Sequence, residues 1–289
     1  MGRRVLELFS GLGGWRLALG EPDRVVAAYD IDTGANEVYA LNHGERPRSR
    51  EIASLSAAEL ASHGADTWAL SPPCQPFCRM GRRHGLTDRR STAFRRLMEL
   101  FPENPPDNLV LENVEGFLGS DAHALLTERM RAHAMSWREL QLCPSRFGVP
   151  NRRPRVYVVA SRRPLADREP PDREPAALDR YLDEVEDPQL FLDASLLARH
   201  RPGMDLVTSA ARRTACFIGG YGQRLSGSGS FLEGPGGVRR FSPAEIARLL
   251  GFPDGFHFPG ALSLERRFRL LGNSLSLPVA RWVVGLLDG

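Results

Sequence analysis

Cys74 sits in Ser71-Pro72-Pro73-Cys74-Gln75-Pro76-Phe77, where three prolines surround one thiol. Proline fixes φ, removes a backbone donor and keeps the residue before it out of the helical region, so this stretch reads as a rigid turn. A free cysteine is ordinarily a small packing residue. One held in a rigid turn can present its sulfur as a nucleophile, and the nearby Arg79, Arg82 and Arg83 would favour the thiolate.

A carboxylate, Glu112, follows the apolar pair Val110-Leu111 and opens Glu112-Asn113-Val114. Partial burial raises a carboxyl's pKa and equips it to carry a proton near neutrality. Further on, Asn151-Arg152-Arg153-Pro154-Arg155 leads into the apolar run 156–160. Period-two geometry places Arg153 and Arg155 on one side, where two guanidiniums could bind a carboxylate or a base carbonyl bidentately.

Phe9-Ser10-Gly11-Leu12-Gly13-Gly14 lies between a candidate strand and a candidate helix. Glycines there permit a tight turn and close approach of backbone to a ligand. The spacing is G-x-G-G, without the third glycine of the dinucleotide fingerprint. Asp30 follows about 20 residues later, the place from which an acid accepts hydrogen bonds from ribose hydroxyls. A nucleoside-containing cofactor fits this pair of features.

The elements that must position these groups alternate along the first 160 residues. Candidate strands are 4–9, 24–30, 67–70, 108–112 and 155–160, with amphipathic stretches at 34–41, 92–100 and 121–134. That rhythm predicts βαβ units around a mostly parallel sheet, an α/β fold with its ligands at the strand ends. Residues 162–188 hold five prolines among mixed charges and read as an exposed linker, followed by a glycine-rich stretch at 219–237. Ser242 and Glu245 form a capping box that starts a helix over 242–250, and the apolar segment 275–287 suits burial against a core.

The chain has 289 residues, 42% apolar and 25% charged, which is enough for a core and ordinary for a globular protein. No apolar run reaches the length of a membrane span and no signal pattern opens the chain, so a cytoplasmic location is expected. The four cysteines lack the spacing of a zinc site or a disulfide frame, so no metal is expected. Net charge is only +3, and every basic residue other than histidine is arginine. Seven arginines lie within 79–96 against one acid, Asp88, a candidate surface for phosphate.

Taken in this order and at these spacings, the glycine loop, the Pro-Pro-Cys-Gln turn, Glu112-Asn113-Val114, the Arg153/Arg155 pair and Leu271-Gly272-Asn273-Ser274 resemble the cytosine-5 methyltransferase family. The resemblance implies a Rossmann-like S-adenosyl-L-methionine-dependent methyltransferase fold with a small target-recognition domain. It implies a catalytic domain over 1–161, a linker and recognition region over 162–240, and a C-terminal segment, 241–289, returning to the catalytic domain. Cys74 is then the thiolate that adds to cytosine carbon 6, and Glu112 holds ring nitrogen 3 and the exocyclic amine. Arg153 and Arg155 orient Glu112 and bind the base carbonyl. Phe9, Ser10, Gly11, Gly13 and Gly14 would receive the methionine end of the cofactor, Asp30 its ribose, and Ile31 and Ile52 its adenine. Asn273 and Ser274 would close that site.

A finer likeness concerns the substrate. Residues 30–41, 216–222 and 241–253 resemble the DNA-methyltransferase-homologue subfamily, whose members methylate a cytosine in the tRNA anticodon loop. Ile218 replaces the threonine of that subfamily's Cys-Phe-Thr signature, and Cys78 stands where a threonine is usual. RNA contacts are expected from Arg79, Arg82, Arg83, Cys216 and Tyr221. The alternative is a DNA cytosine-5 methyltransferase, but the roughly 75 residues of 162–237 are thin for duplex readout. A binding module without chemistry would not need Cys74, Glu112, Arg153 and Arg155 together.

Overall fold

Four of the five residues of Arg4–Leu8 are buried, as expected of a strand covered on both faces, and this strand, β1, lies inside the sheet rather than at its edge. The computed structural model describes residues 2–75, 77 and 85–289. Among these, β1 pairs in parallel with β2 (Arg24–Tyr29) and β3 (Thr67–Leu70), and β3 pairs in parallel with β4 (Asn108–Asn113). Next come β6 (Arg155–Ser161), antiparallel to β4, and β5 (Ser136–Leu142), antiparallel to β6. The six-stranded order is β2-β1-β3-β4-β6-β5, mostly parallel as the alternating pattern predicts.

Connecting helices begin with α1 (Gly14–Ala18) and α2 (Thr33–His43), the latter capped by the Asp32 carboxylate on the Ala35 amide. Shorter α3 (Ala57–Ser62) precedes α4 (Thr92–Leu100) and α5 (Asp121–Ala132), which bury Phe94, Leu97, Met98, Leu126 and Met130 in the core. Strand β5 escaped the sequence reading. Its residues are exposed or half-buried except the last, the signature of an edge with little apolar contrast to detect.

The chain divides into two compact units. The first comprises Met1–Leu142, Pro154–Glu169 and Ala280–Gly289; the second comprises Cys143–Arg153 and Pro170–Val279. In the second, α6 (Ala194–His200) precedes β7 (Asp205–Val207), β8 (Ser230–Gly234) and β9 (Gly237–Arg240), which form a three-stranded sheet. Helix α7 (Pro243–Leu250) carries the expected Ser242/Glu245 capping box, and α8 (Leu264–Gly272) follows. Against the sequence expectation, Leu264–Leu287 is long and apolar enough to pass for a membrane span. The stretch is nevertheless broken: α8 ends at Asn273, and α9 (Leu277–Val284) starts afresh with most of the segment buried.

Candidate active site

The glycine turn, Asp30, Cys74 and Glu112 each stand at the C-terminal end of a parallel strand or in the loop that follows it, whereas Arg155 opens the antiparallel β6. The Cys74 turn leaves β3, and its backbone is pinned from a neighbouring strand. Asn113, the last residue of β4, donates from Nδ2 to the Pro72 carbonyl at 3.1 Å, while its Oδ1 accepts from the Val114 amide at 2.8 Å. The Phe77 amide closes the turn on the Cys74 carbonyl at 2.9 Å. Gly116 lies so near Phe77 that an added Cβ would fall 2.1 Å from the Phe77 carbonyl oxygen. Rings then lock the contact, Phe77 standing edge-on to Phe117 at 5.3 Å. Cys74 itself is only half-buried. A rigid loop bearing this cysteine is thereby docked on the strand end that carries Glu112.

Glu112 is buried to 8% exposure and forms an ion pair with Arg155, Nε to Oε1 at 3.2 Å. Arg155 opens β6, whose pairing with β4 sets Tyr157 opposite Glu112. The expected partnership of Arg153 with Arg155 takes a different form. Residues 151–154 are not strand, because Pro154 interrupts the run, and period-two geometry does not extend back to Arg153. Arg153 belongs to the second unit, 2% exposed, and donates to the carbonyls of Phe217 and Gly272, both at 3.0 Å, and to that of Ser274. It also reaches the Cys216 sulfur at 3.4 Å. Its guanidinium ties two backbone segments that pack directly, since a Cβ on Gly272 would lie 2.2 Å from the Ile218 carbonyl carbon.

Tyr221 requires a correction. It was expected to touch nucleic acid, yet its side chain is wholly buried. Its hydroxyl donates to the Ser230 carbonyl at 2.6 Å and accepts from the Phe241 amide at 2.9 Å, and its ring is packed by Phe217, Phe231 and Phe268. It is a core residue of the second unit. Cys216 is half-buried beside Arg153. Asn273 is the exposed C-cap of α8, and Ser274 lends its carbonyl to Arg153; both lie in the second unit.

The phosphate-contact expectation falls partly outside the description: Arg79, Arg82, Arg83 and Cys78 are not among the described residues. Of the remaining arginines in 79–96, Arg90 pairs with Asp88 and donates to Gln75 Oε1, and Arg96 donates to the Leu55 carbonyl and pairs with Glu99. Internal ion pairs thus use part of the charge that the sequence seemed to leave for phosphate.

The glycine turn after β1 has an unusual backbone. Phe9 has φ 58, Gly11 φ 52 and Gly13 φ 80, three left-handed residues in five, one of them carrying a large side chain. Asp30 holds this turn to the end of β2, taking the Gly11 amide on Oδ2 and the Asp32 amide on Oδ1, each at 2.8 Å. Burial pushes the Asp30 carboxyl above its ordinary value, opposed by those amides. A carboxylate has about four acceptor positions, so capacity for ribose hydroxyls remains. Ser10 Oγ is buried with no hydrogen-bond partner, a donor and acceptor beside the turn waiting for a polar group. Ile31 is 68% exposed next to Asp30, whereas Ile52 is buried. A polar end at Ser10, a hydroxyl-binding acid at Asp30 and an uncovered apolar face at Ile31 fit the parts of S-adenosyl-L-methionine.

Positioning residues that the sequence reading passed over include Asn113 and Gly116. Glu7 and Trp15 belong with them: Trp15 Nε1 donates to Ser71 Oγ at 3.0 Å, linking the cofactor side to the Cys74 turn. The signal for Glu7 was present as a lone charge inside an apolar strand.

Residues 3–190 and 207–287 match the C-5 cytosine-specific DNA methylase family. The chain belongs to this family. The match includes most of the region 162–237 that the motifs alone left uncovered. As a member of the C-5 cytosine methylases, it is a cytosine-5 methyltransferase. It is similar to the tRNA (cytosine(38)-C(5))-methyltransferase of Rattus norvegicus, with 30% identity over 98% of both chains. The protein of the same name from Schizosaccharomyces pombe shares 31% identity over 98% of this chain and 96% of its own. A crystal structure of S. pombe Dnmt2 methyltransferase matches with a TM-score of 0.88 and 30% identity, covering 99% of this chain and 98% of that one.

Proposed function

We propose that this C-5 cytosine methylase modifies a cytosine of the tRNA anticodon loop, at position 38 as in the relatives' names, with S-adenosyl-L-methionine as the methyl donor. The docking of the rigid Cys74 turn on the strand end of Glu112, itself paired with Arg155, carries the reading. Cytosine carbon 5 is too electron-poor to attack a methyl group directly. Addition of the Cys74 sulfur to carbon 6 forms an S–C bond and sends the ring electrons to carbon 5, splitting one hard substitution into easier steps. Glu112 holds ring nitrogen 3 and the exocyclic amine, stabilising the ring as it accepts charge and a proton. Arg155 fixes the Glu112 carboxylate in orientation. Bound at the glycine turn, the cofactor supplies an electrophilic methyl on a sulfonium. After transfer, a solvent water takes the proton from carbon 5, and the electrons of that C–H bond restore the carbon 5–carbon 6 double bond and expel the Cys74 thiolate.

An unpaired loop base reaches such a pocket without the cost of breaking a duplex. The end-to-end similarity to relatives named as tRNA methyltransferases favours RNA over DNA. Methyl transfer from labelled cofactor to total tRNA and to cytosine-rich duplex DNA, at one salt concentration, tests the reading. A higher kcat/KM for tRNA with label at one anticodon-loop cytosine is expected, and a ratio favouring DNA overturns it.

A further inference from the structure

Glu7 lies inside β1 with no solvent exposure, and the chemistry proposed above gives it no task. Its neighbours across the sheet are Ala28 and Ala69, which leave room for a carboxylate and offer no charge. Its partners come from the two helices instead. Oε1 accepts from the amides of Trp15 at 3.1 Å and Arg16 at 3.2 Å, the first turn of α1 directly after the glycine turn. Oε2 accepts from the Tyr39 hydroxyl of α2 at 2.9 Å. Four residues along α2, His43 donates from Nε2 to the Leu12 carbonyl at 3.2 Å, inside the turn itself. A Cβ on Gly13 would fall 2.3 Å from that nitrogen and 2.9 Å from the Tyr39 ring, so the turn rests on these two side chains.

A turn with three left-handed residues does not hold its shape by local preference, and needs surrounding contacts to fix it. We propose that Glu7 is a positioning residue for the cofactor, setting the shape of the turn 9–14 through Trp15, Arg16 and Tyr39 and thereby the affinity for S-adenosyl-L-methionine without touching it. The inference rests on the cofactor reading above. It adds a pH dependence. The ionised carboxylate accepts from all three donors, whereas a protonated one turns an acceptor into a donor among donors. Burial lifts the Glu7 pKa to about 7, against the pull of Tyr39, Arg16 and Trp15, so the change falls near neutrality. Besides Tyr39, the titratable groups closest to this arrangement are Arg16, which is paired with Glu45, and His43, whose pKa burial lowers, favouring its neutral form.

Calorimetric titration of S-adenosylhomocysteine into the full chain tests this, using wild type, Glu7→Gln and Tyr39→Phe between about pH 6 and about pH 8.5, either side of the Glu7 transition. Wild-type affinity should rise as pH rises through the transition. Glu7→Gln should bind about tenfold more weakly at the upper end, the scale of one lost charge-assisted hydrogen bond, with a flat profile. Tyr39→Phe removes a donor that favours the ionised form and should move the transition to higher pH. A Glu7→Gln protein with wild-type affinity and pH profile overturns the proposal. If that variant does not fold, an unmoved transition in Tyr39→Phe overturns it equally. A wild type that binds no S-adenosylhomocysteine at any pH overturns the cofactor reading, and this inference with it.

Discussion

Asn113 at the end of β4 donates a hydrogen bond to the carbonyl of Pro72, two residues before the nucleophile, across neighbouring strands of the sheet. The bond fixes the Cys74 turn relative to the strand end that also carries Glu112. Geometry of this kind matters because misplacement by about 1 Å can cost about 100-fold in rate. Asn113→Ala should lower kcat by about 10- to 100-fold while leaving the Kd for S-adenosylhomocysteine within about twofold of wild type. Single-turnover methyl transfer beside calorimetry separates the two. Equal losses in rate and cofactor affinity would show a general collapse of the sheet edge instead.

Cys74→Ala should abolish methyl transfer and leave cofactor affinity nearly unchanged, because the sulfur acts only in the covalent step. Wild type should be trapped as a denaturation-resistant complex on tRNA carrying 5-fluorocytosine, since fluorine cannot leave as a proton does. Cys78 has to be removed in a companion double variant, because a second thiol nearby could substitute. Turnover retained in the double variant would exclude Cys74 as the nucleophile.

Arg153 and Arg155 should separate cleanly. Arg155 is paired with Glu112, so Arg155→Ala and Glu112→Gln should each cost about 10²–10⁴ in kcat with little loss of stability. Arg153 is enclosed by carbonyls of Phe217, Gly272 and Ser274. Arg153→Ala leaves those acceptors unpaired in the second unit and should lower unfolding stability by roughly 3 kcal/mol. Urea midpoints and single-turnover rates on the same preparations distinguish the two behaviours; an Arg153→Ala protein of unaltered stability would refute the assignment.

The placement of the first unit's motifs was legible because they sit where strand, turn and helix meet, and such junctions have their own residue code. Proline around Cys74, glycine at 11 and 13, and an acid at 30 each answer a local backbone demand. The role of Arg153 was not legible, since its partners are carbonyls more than 60 residues away in the chain. Tyr221 was misread for a different reason. A glycine-rich stretch looks like open loop, yet Gly229 has space for no side chain because Phe217 and Tyr221 would lie 2.6 and 2.8 Å from its Cβ. Glycine there admits aromatic rings to a core, and composition alone does not distinguish that from exposure. The edge strand β5 and the three-stranded sheet of the second unit lack the apolar alternation that would announce them.

Glu7 also makes a prediction about stability, of opposite sign to its effect on the cofactor. The carboxyl's ordinary value of 4.5 is raised to about 7 in the folded chain by burial. Between those two values the folded state binds more proton than the unfolded state, so stability must fall as pH rises through that window and level off above it. A rise of this size is worth about 3 kcal/mol. Glu7→Gln removes the buried charge and keeps an oxygen for the Trp15 and Arg16 amides, while its NH2 can donate to the Tyr39 oxygen. The variant should therefore lose the fall in stability between about pH 4.5 and about pH 7 and exceed wild type above it by about 1–3 kcal/mol. Urea unfolding of the cofactor-free protein at about pH 5 and about pH 8, below and above the transition, gives the comparison. A variant less stable than wild type at the higher pH would mean that the ionised carboxylate stabilises the fold outright. A more stable variant that binds cofactor weakly would show that this buried charge is retained at the expense of stability to hold the turn in its working shape.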